Sequence, residues 1–366
     1  MRIAFDDQVF CMVPHGGVAR YFVRLAEQLI AREQEVGIFA PLHQNHYARE
    51  LPSGVVHGCA LKRYPPRSVS VLRSINHVFA KVAIKHWRPQ VVHETYYSRW
   101  GSAPRSCPSV ITVYDMTSEL FSDGVRTREN ISKLKRMAID RADHVICISE
   151  NTRRDLMELF GTNDGKISVV HLGFDRFLSN SEANEKLPAQ AKPYLLYVGG
   201  RAGYKNYSGF VRAVASSQRL KMDFDILAFG GGRFSSSEIA LHAKLGFQPA
   251  RVKQVAGDDK ILGHLYDQAA AFVYPSLYEG FGLPPLEAMA HQCAVISSNT
   301  SSMPEVIGEA AEFFDPKSID DMASAIARVV YSSSRIQDLV ERGRKRLDLF
   351  SWERCADRTL DIYRSM

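Results

Sequence analysis

Two carboxylates eight residues apart mark the segment FVYPSLYEGFGLPPLEAM, which runs from Phe272 to Met289. An apolar strand ends near Tyr274, a glycine-containing loop carries Glu279, and Pro284–Pro285 open a helix at a place where proline is tolerated. Glu287 is then expected in the first turn of that helix, whose free N–H groups attract an anion such as a diphosphate. Gly280 and Gly282, on either side of Phe281 and just before Leu283, let the backbone approach a ligand closely. The plainer alternative is that Glu287 answers the helix dipole and Glu279 is a solvated loop acid. A second loop, GGRAGYKN from Gly199 to Asn206, combines glycine turns with two cations, Arg201 and Lys205. Its bland reading is a surface Arg and Lys flanking a turn.

These loops need a scaffold, and the sequence supplies an alternating one. In the first half, strand-like runs at Arg2–Phe5, Val36–Ala40, Val91–His93, Val110–Tyr114, His144–Ser149 and Ile167–His171 are mostly separated by helical patterns, among them Val18–Arg32, Asn130–Arg141 and Thr152–Phe160. Residues 173–192 are polar, contain two prolines and read as a linker. Alternation restarts with strands at Tyr194–Val198, Phe224–Phe229, Val252–Val255, Ala271–Tyr274 and Ala294–Ser297. The expectation is an α/β chain of two doubly wound, Rossmann-like domains facing across a cleft. Residues 1–172 and 193–347 would be the domains, and 348–366 a terminal helix capped by Ser351. In open parallel sheets ligands bind beyond the carboxyl ends of the strands, where both loops fall.

Length and composition agree. The chain has 366 residues, 45% hydrophobic and 23% charged, which excludes a disordered, collagenous or disulfide-scaffold protein and suits two domains. No run of 18 uncharged apolar residues occurs, and Asp6 and Asp7 interrupt any secretory signal, so a cytoplasmic location is expected. The six cysteines lie 40 or more residues apart and read as buried reduced thiols. The net charge of +6 lies wholly in the first half, where residues 1–180 carry 24 basic and 18 acidic side chains against 22 and 22 in the rest. Such asymmetry suggests an anionic partner for that half.

The segment Glu279–Glu287 resembles the Glu-x7-Glu signature of retaining glycosyltransferases of family 4, which have the GT-B fold. The resemblance extends through HGGVARYF, TVYDM, RADHVICISENTRRDL, KISVVHLGFD, YVGGRAGYKN and SSNTSSMPEVIGEAAEFFDP, in the family's order. It is strongest toward members that build bacterial surface polysaccharides, many of them mannosyltransferases. It implies that Glu287 binds the ribose of a nucleotide-sugar donor and Glu279 the hydroxyls of its sugar; a carboxylate can accept two hydrogen bonds from a vicinal diol. It gives Arg201 and Lys205 the leaving diphosphate, where fixed cations stabilise the transition state above the ground state. The loop His15-Gly16-Gly17 would approach diphosphate and acceptor, or be a capped turn without a ligand. Many members carry His-Asp where this sequence has Tyr114-Asp115, so the histidine's role does not transfer. Asp115 remains a candidate to orient or deprotonate the acceptor hydroxyl, with loop capping as the alternative.

The implied activity is metal-independent, cofactor-free transfer with retention, from a nucleotide diphosphate sugar, best matched by GDP-mannose, to a lipid-linked glycan. The terminal helix crosses back to the first domain in similar proteins. Rivals are a phosphorylase or nucleotide-sugar epimerase on the same plan, or a non-catalytic sugar-nucleotide binder. Asp223-Phe224-Asp225 has the spacing of a metal-binding DxD but enters a strand at the wrong end of the sheet, and Gly230–Gly232 is a weak dinucleotide signal. Finally, residues 51–93 hold seven basic residues and no acidic one. Within the helical stretch Val69–His86, Arg73, His77, Lys81 and Lys85 form one stripe, and Val71, Ile75, Val78, Phe79 and Val82 cover another side. This is either a solvated surface helix or one resting on anionic lipid at the inner face of a membrane. Nucleic acid is a poorer candidate because no binding module is present.

Overall fold

The computed structural model describes residues 1–12, 14, 16–65, 67–121, 126–175, 192–201 and 203–366. His15, Ala202 and nearly all of the expected linker, residues 176–191, lie outside them. The chain divides into a first unit, Met1–Gly173 with Ser351–Met366, and a second, Phe174–Phe350.

The first unit is built on β1 (Arg2–Phe5), β2 (Glu35–His43), β3 (Val56–Ala60), β4 (Val91–Glu94), β5 (Ser109–Val113), β6 (His144–Cys147) and β7 (Ile167–Val169). All pair in parallel, in the order β3-β2-β1-β4-β5-β6-β7. The second unit repeats the plan with β8 (Tyr194–Val198), β9 (Asp225–Phe229), β10 (Val252–Val255), β11 (Ala271–Tyr274), β12 (Val295–Ser298) and β13 (Ala311–Phe314), ordered β10-β9-β8-β11-β12-β13. In both sheets the chain works outward from the centre in one direction and then in the other. The reversal leaves a switch point between β1 and β4 and another between β8 and β11, where doubly wound sheets bind ligands.

The central strands β4, β5 and β11 are buried throughout, as strands covered on both faces must be. Two edge strands escaped sequence reading. In β3, VHGCA, four of five residues are exposed, so it has no buried apolar run, and β13, AEFF, is only half buried. The run expected at His144–Ser149 stops at Cys147, because Ser149 caps the next helix by accepting from the Thr152 N–H. A short helix, Gln8–Met12, occupies part of what reads as a loop after β1. Among the described residues no helix is long and apolar enough to cross a membrane.

The terminal helix Trp352–Ser365, capped by Ser351, packs within the first unit. Tyr363 reaches the core there: its hydroxyl lies 2.6 Å from His93 Nδ1, while His93 Nε2 lies 2.8 Å from Thr112 Oγ1. Arg32 holds the same helix through Asp357 and the Glu353 carbonyl. The chain leaves and re-enters the unit at adjoining points, so tightly that a Cβ on Gly173 would lie 2.3 Å from the Trp352 nitrogen. The cysteines are all free, but not all buried: Cys59 is exposed on edge strand β3 and Cys107 is half-buried.

Candidate active site

In the second unit, the loops leaving β8 and β11 meet at the switch point. There Lys205 Nζ donates to both carboxylate oxygens of Glu279, at 2.7 and 2.9 Å. Glu279 is 12% and Lys205 25% exposed at the side chain, so the pair is accessible without being surface-screened. Sequence spacing of 74 residues gave no sign that these two would be partners.

The pair is held by its neighbours. The Leu277 N–H donates to the Tyr204 carbonyl at 2.7 Å, tying the two loops directly. Asn206, with φ of 52°, bonds the carbonyls of Pro275 and Pro316 at 3.1 and 2.8 Å. From the β12 side, Ser301 Oγ accepts from the Glu279 N–H at 2.9 Å, and Ser302 Oγ contacts the carbonyls of Glu279 and Phe281 at 2.9 and 2.8 Å. Reading the sequence passed over Asn206, Ser301 and Ser302 as site residues. Their signal was a cluster of small polar residues at a strand's carboxyl end.

Gly282 caps the helix Leu283–Ala290 at φ of 117°, in the region that favours glycine. The helix starts at Leu283, so Glu287 is its fifth residue and lies beyond the first turn. Glu287 is therefore not a dipole-answering acid of that turn; the Tyr266 hydroxyl is 3.5 Å from its Oε2. The two prolines also occupy the second and third helical positions and bring no N–H. The donors expected at this N-terminus thus shrink chiefly to Gly282 and Leu283. Phe281 is buried against Phe350, ring centroids 5.7 Å apart, and anchors the loop through the core. Burial, with the Glu279 carboxylate beside it, pushes the Tyr274 phenol well above its usual range, so it stays a neutral donor facing the pair.

Arg201 has different surroundings from those expected of a cation open to a diphosphate. Its side chain is 4% exposed. Nε donates to Glu238 at 2.7 Å, Nη1 to the Gly230 carbonyl at 2.8 Å, and Nη2 to the carbonyls of Gly232 and Arg233 at 2.9 and 3.0 Å. It organises the Gly230–Gly232 turn, whose residues all have positive φ. Glu238 is held below the usual carboxylate range by this arginine and by Ser235, although burial pulls the other way first.

In the first unit, Asp115 Oδ1 accepts from the Thr117 N–H at 2.9 Å, the turn-capping geometry, and Lys135 holds the Asp115 carbonyl at 2.8 Å. Tyr114 Oη beside it is buried without a hydrogen-bond partner. Gly16 and Gly17 open the helix Gly17–Ala31, and a Cβ on Gly17 would meet open space. The stretch read as helical forms the helix Val69–Trp87, and neither its basic stripe nor its apolar side is the face that packs. Its inward side is carried by Asn76, Ala80 and Ile84. Val71, Val78, Phe79 and Val82 are each 60–63% exposed and Ile75 38%, alongside exposed Arg73, Lys81 and Lys85. Asp225 of the DxD-like pattern is buried against Arg251, and Asp223 accepts from Tyr331.

Two Rossmann-type units, the second bearing a lysine–carboxylate pair at its switch point, define a doubly wound α/β protein with a candidate ligand site there. The model described as Glycosyltransferase Family 4 matches residues 15–176, and that described as Glycosyl transferases group 1 matches residues 179–346. The chain belongs to the family 4 glycosyltransferases of GT-B fold, and it is a glycosyltransferase. It is 24% identical to the O-antigen chain mannosyltransferase B of Escherichia coli over 100% of both chains. It is 26% identical to the O-antigen chain mannosyltransferase RfbU of Salmonella typhimurium, over 68% of this chain and 67% of that one. Sucrose-phosphate synthase from Thermosynechococcus elongatus superposes with a TM-score of 0.78 at 22% identity, covering 100% and 98% of the two chains.

Proposed function

We propose that this glycosyltransferase moves mannose from GDP-mannose to a hydroxyl of a growing, lipid-linked polysaccharide such as O-antigen, with retention of configuration and without a metal. The observation that carries the donor half is the Lys205–Glu279 pair at the switch point of the second sheet. Both groups stand at the switch point, where doubly wound sheets bind ligands. Lys205 exchanges its carboxylate for the diphosphate, and Glu279, released, accepts hydroxyls of the sugar ring. Glu287 takes the ribose diol, and the N–H groups of Gly282 and Leu283 face the phosphates. Arg201 acts from behind, holding the Gly230–Gly232 turn and adding its charge at a distance. In the reaction the bond from sugar C1 to the phosphate oxygen breaks while a bond to the acceptor oxygen forms on the same face. The acceptor proton passes to the departing phosphate. Asp115, in the first unit, orients that hydroxyl. The choice of mannose and of a surface polysaccharide is supported by the two bacterial relatives.

The helix Val69–Trp87 supports peripheral contact with an anionic membrane at its inner face. Six apolar residues, Val69 included, stand in solvent beside three cations, the composition of a helix that lies in a lipid interface. The test is transfer from GDP-mannose to a lipid-linked oligosaccharide, with the product's anomeric configuration read by NMR and the assay repeated in EDTA. An α-linked product at an unchanged rate in EDTA is expected. An inverted anomer, or activity abolished by the chelator and restored by a divalent ion, would sink the retaining or metal-free assignment respectively.

A further inference from the structure

The helix Arg126–Arg141 of the first unit carries one lysine that never reaches solvent: the Lys135 side chain is 1% exposed. Burying an ammonium is costly unless its donors are met, and apolar residues of similar volume often serve such a place as well or better. The partners of Lys135 lie on one short segment, the one that follows β5. Nζ donates to the Asp115 carbonyl at 2.8 Å and to Glu119 Oε2 at 2.7 Å, and stands 3.9 Å from Met116 Sδ. Those three contacts match the three hydrogens of the ammonium. The Tyr97 ring centroid lies 5.4 Å from the same Nζ, and the Tyr97 hydroxyl accepts from the Tyr114 N–H at 3.3 Å. Glu119 is 5% exposed, and its other oxygen, Oε1, is buried with no hydrogen-bond partner among the described residues. A buried ion pair with one oxygen unmet is a poor device for stability alone.

What the pair does fix is the main chain at Asp115. The helix Thr117–Leu120 that follows has four residues, too few to hold its own geometry. Asp115 Oδ1 caps its start through the Thr117 N–H, and Arg128 takes the Phe121 carbonyl beyond its end. Lys135 bridges the two ends, from the Asp115 carbonyl to Glu119. We propose that Lys135, together with Glu119, is a positioning residue for transfer: it locks the segment so that the Asp115 carboxylate meets the acceptor hydroxyl at one setting. The proposal rests on the role given to Asp115 above and adds that a buried charge on another helix imposes that setting. Displacing a reacting group by about 1 Å can cost about 10²-fold in rate, so a clamp on its main chain is felt in turnover.

The test compares, on the full chain, transfer from GDP-mannose to a lipid-linked oligosaccharide with the slow hydrolysis of GDP-mannose when water takes the acceptor's place. Lys135→Met should lower transfer about tenfold or more relative to hydrolysis, with little change in the donor KM. In an Asp115→Ala background the same substitution should cost less than about twofold, because it acts through that residue. Glu119→Gln removes only the pair's negative charge; it should show the same pattern at smaller size and keeps the test decisive should Lys135→Met fold poorly. Transfer and hydrolysis falling in parallel, as loss of folded enzyme would give, or an equal loss with and without Asp115, would each overturn the proposal. Slow transfer in Asp115→Ala but parent-like transfer in Lys135→Met and Glu119→Gln would overturn it alone. Parent-like transfer in Asp115→Ala would overturn both it and the role given to Asp115, so the two failures are distinguishable.

Discussion

Lys205 and Glu279 each hold the charge the other needs, and on the function proposed above their pairing is a resting arrangement that a substrate must compete with. An anionic diphosphate competes well for the ammonium, and a sugar diol for the carboxylate, because each replaces one charge-assisted bond by another. Removing either partner has unequal consequences. Lys205→Ala is expected to lower kcat by about 10²–10³-fold, the usual cost of losing one group that stabilises a departing charge. Glu279→Gln should lower kcat less and weaken discrimination among donor epimers, measured as the ratio of kcat/KM for two nucleotide sugars. Equal kcat in Lys205→Ala and the parent would contradict the assignment. The residue types and positions of this pair were legible in the sequence, since both sit in glycine-bearing loops after apolar strands. Their contact was not, because it depends on strand order. Nor was the engagement of Arg201 by Glu238 and the glycine carbonyls: nothing local in GGRAGYKN says that its arginine turns inward.

At the scale of elements, the helix Val69–Trp87 is the informative one. Its sequence has two stripes, apolar and basic, and a soluble domain would ordinarily bury the apolar one. Here burial falls to Asn76, which pairs with both main-chain groups of Leu42 at 2.8 and 2.9 Å, and to Ala80 and Ile84. Periodicity locates the helix but not which face the sheet takes, because the narrow Asn-Ala-Ile strip is less apolar than the one left outside. The expected outcome is binding to vesicles containing phosphatidylglycerol, weaker to neutral phosphatidylcholine and reduced by salt. Val78→Glu with Phe79→Glu should abolish sedimentation with vesicles, whereas Lys81→Glu alone should weaken it and flatten its salt dependence. Sedimentation unaffected by the double substitution would remove this helix from the membrane account. The missed edge strands β3 and β13 have a related cause: edges are half solvated and carry no continuous apolar run.

For the whole molecule, the first unit depends on a segment far away in sequence. Tyr363 and Thr112 supply hydroxyls to both nitrogens of buried His93. Tyr363→Phe should destabilise this unit by about 1–3 kcal/mol, the cost of leaving a buried polar atom unmet, read from its unfolding midpoint in urea. Burial pushes the His93 pKa down to about 3 from its ordinary 6.5. Between those values the unfolded chain holds a proton that the folded one refuses. The contribution is complete above pH 6.5 and is lost as pH falls toward 3, at no more than about 1.4 kcal/mol per pH unit. The stability difference between the parent and His93→Gln should narrow accordingly from pH 7 to pH 5. Two alternating halves were readable from the sequence, as was a capped terminal helix; that this helix plugs the first sheet through a tyrosine–histidine contact depends on tertiary packing alone. The most direct test of the central claim is thermal unfolding with a panel of nucleotide sugars, in the parent chain, Lys205→Ala and Glu287→Ala. A ligand bound only by the folded state raises the midpoint by mass action. The account predicts a saturable rise with GDP-mannose that falls sharply in both variants. No rise with any nucleotide sugar, or a rise that both variants retain in full, would contradict it.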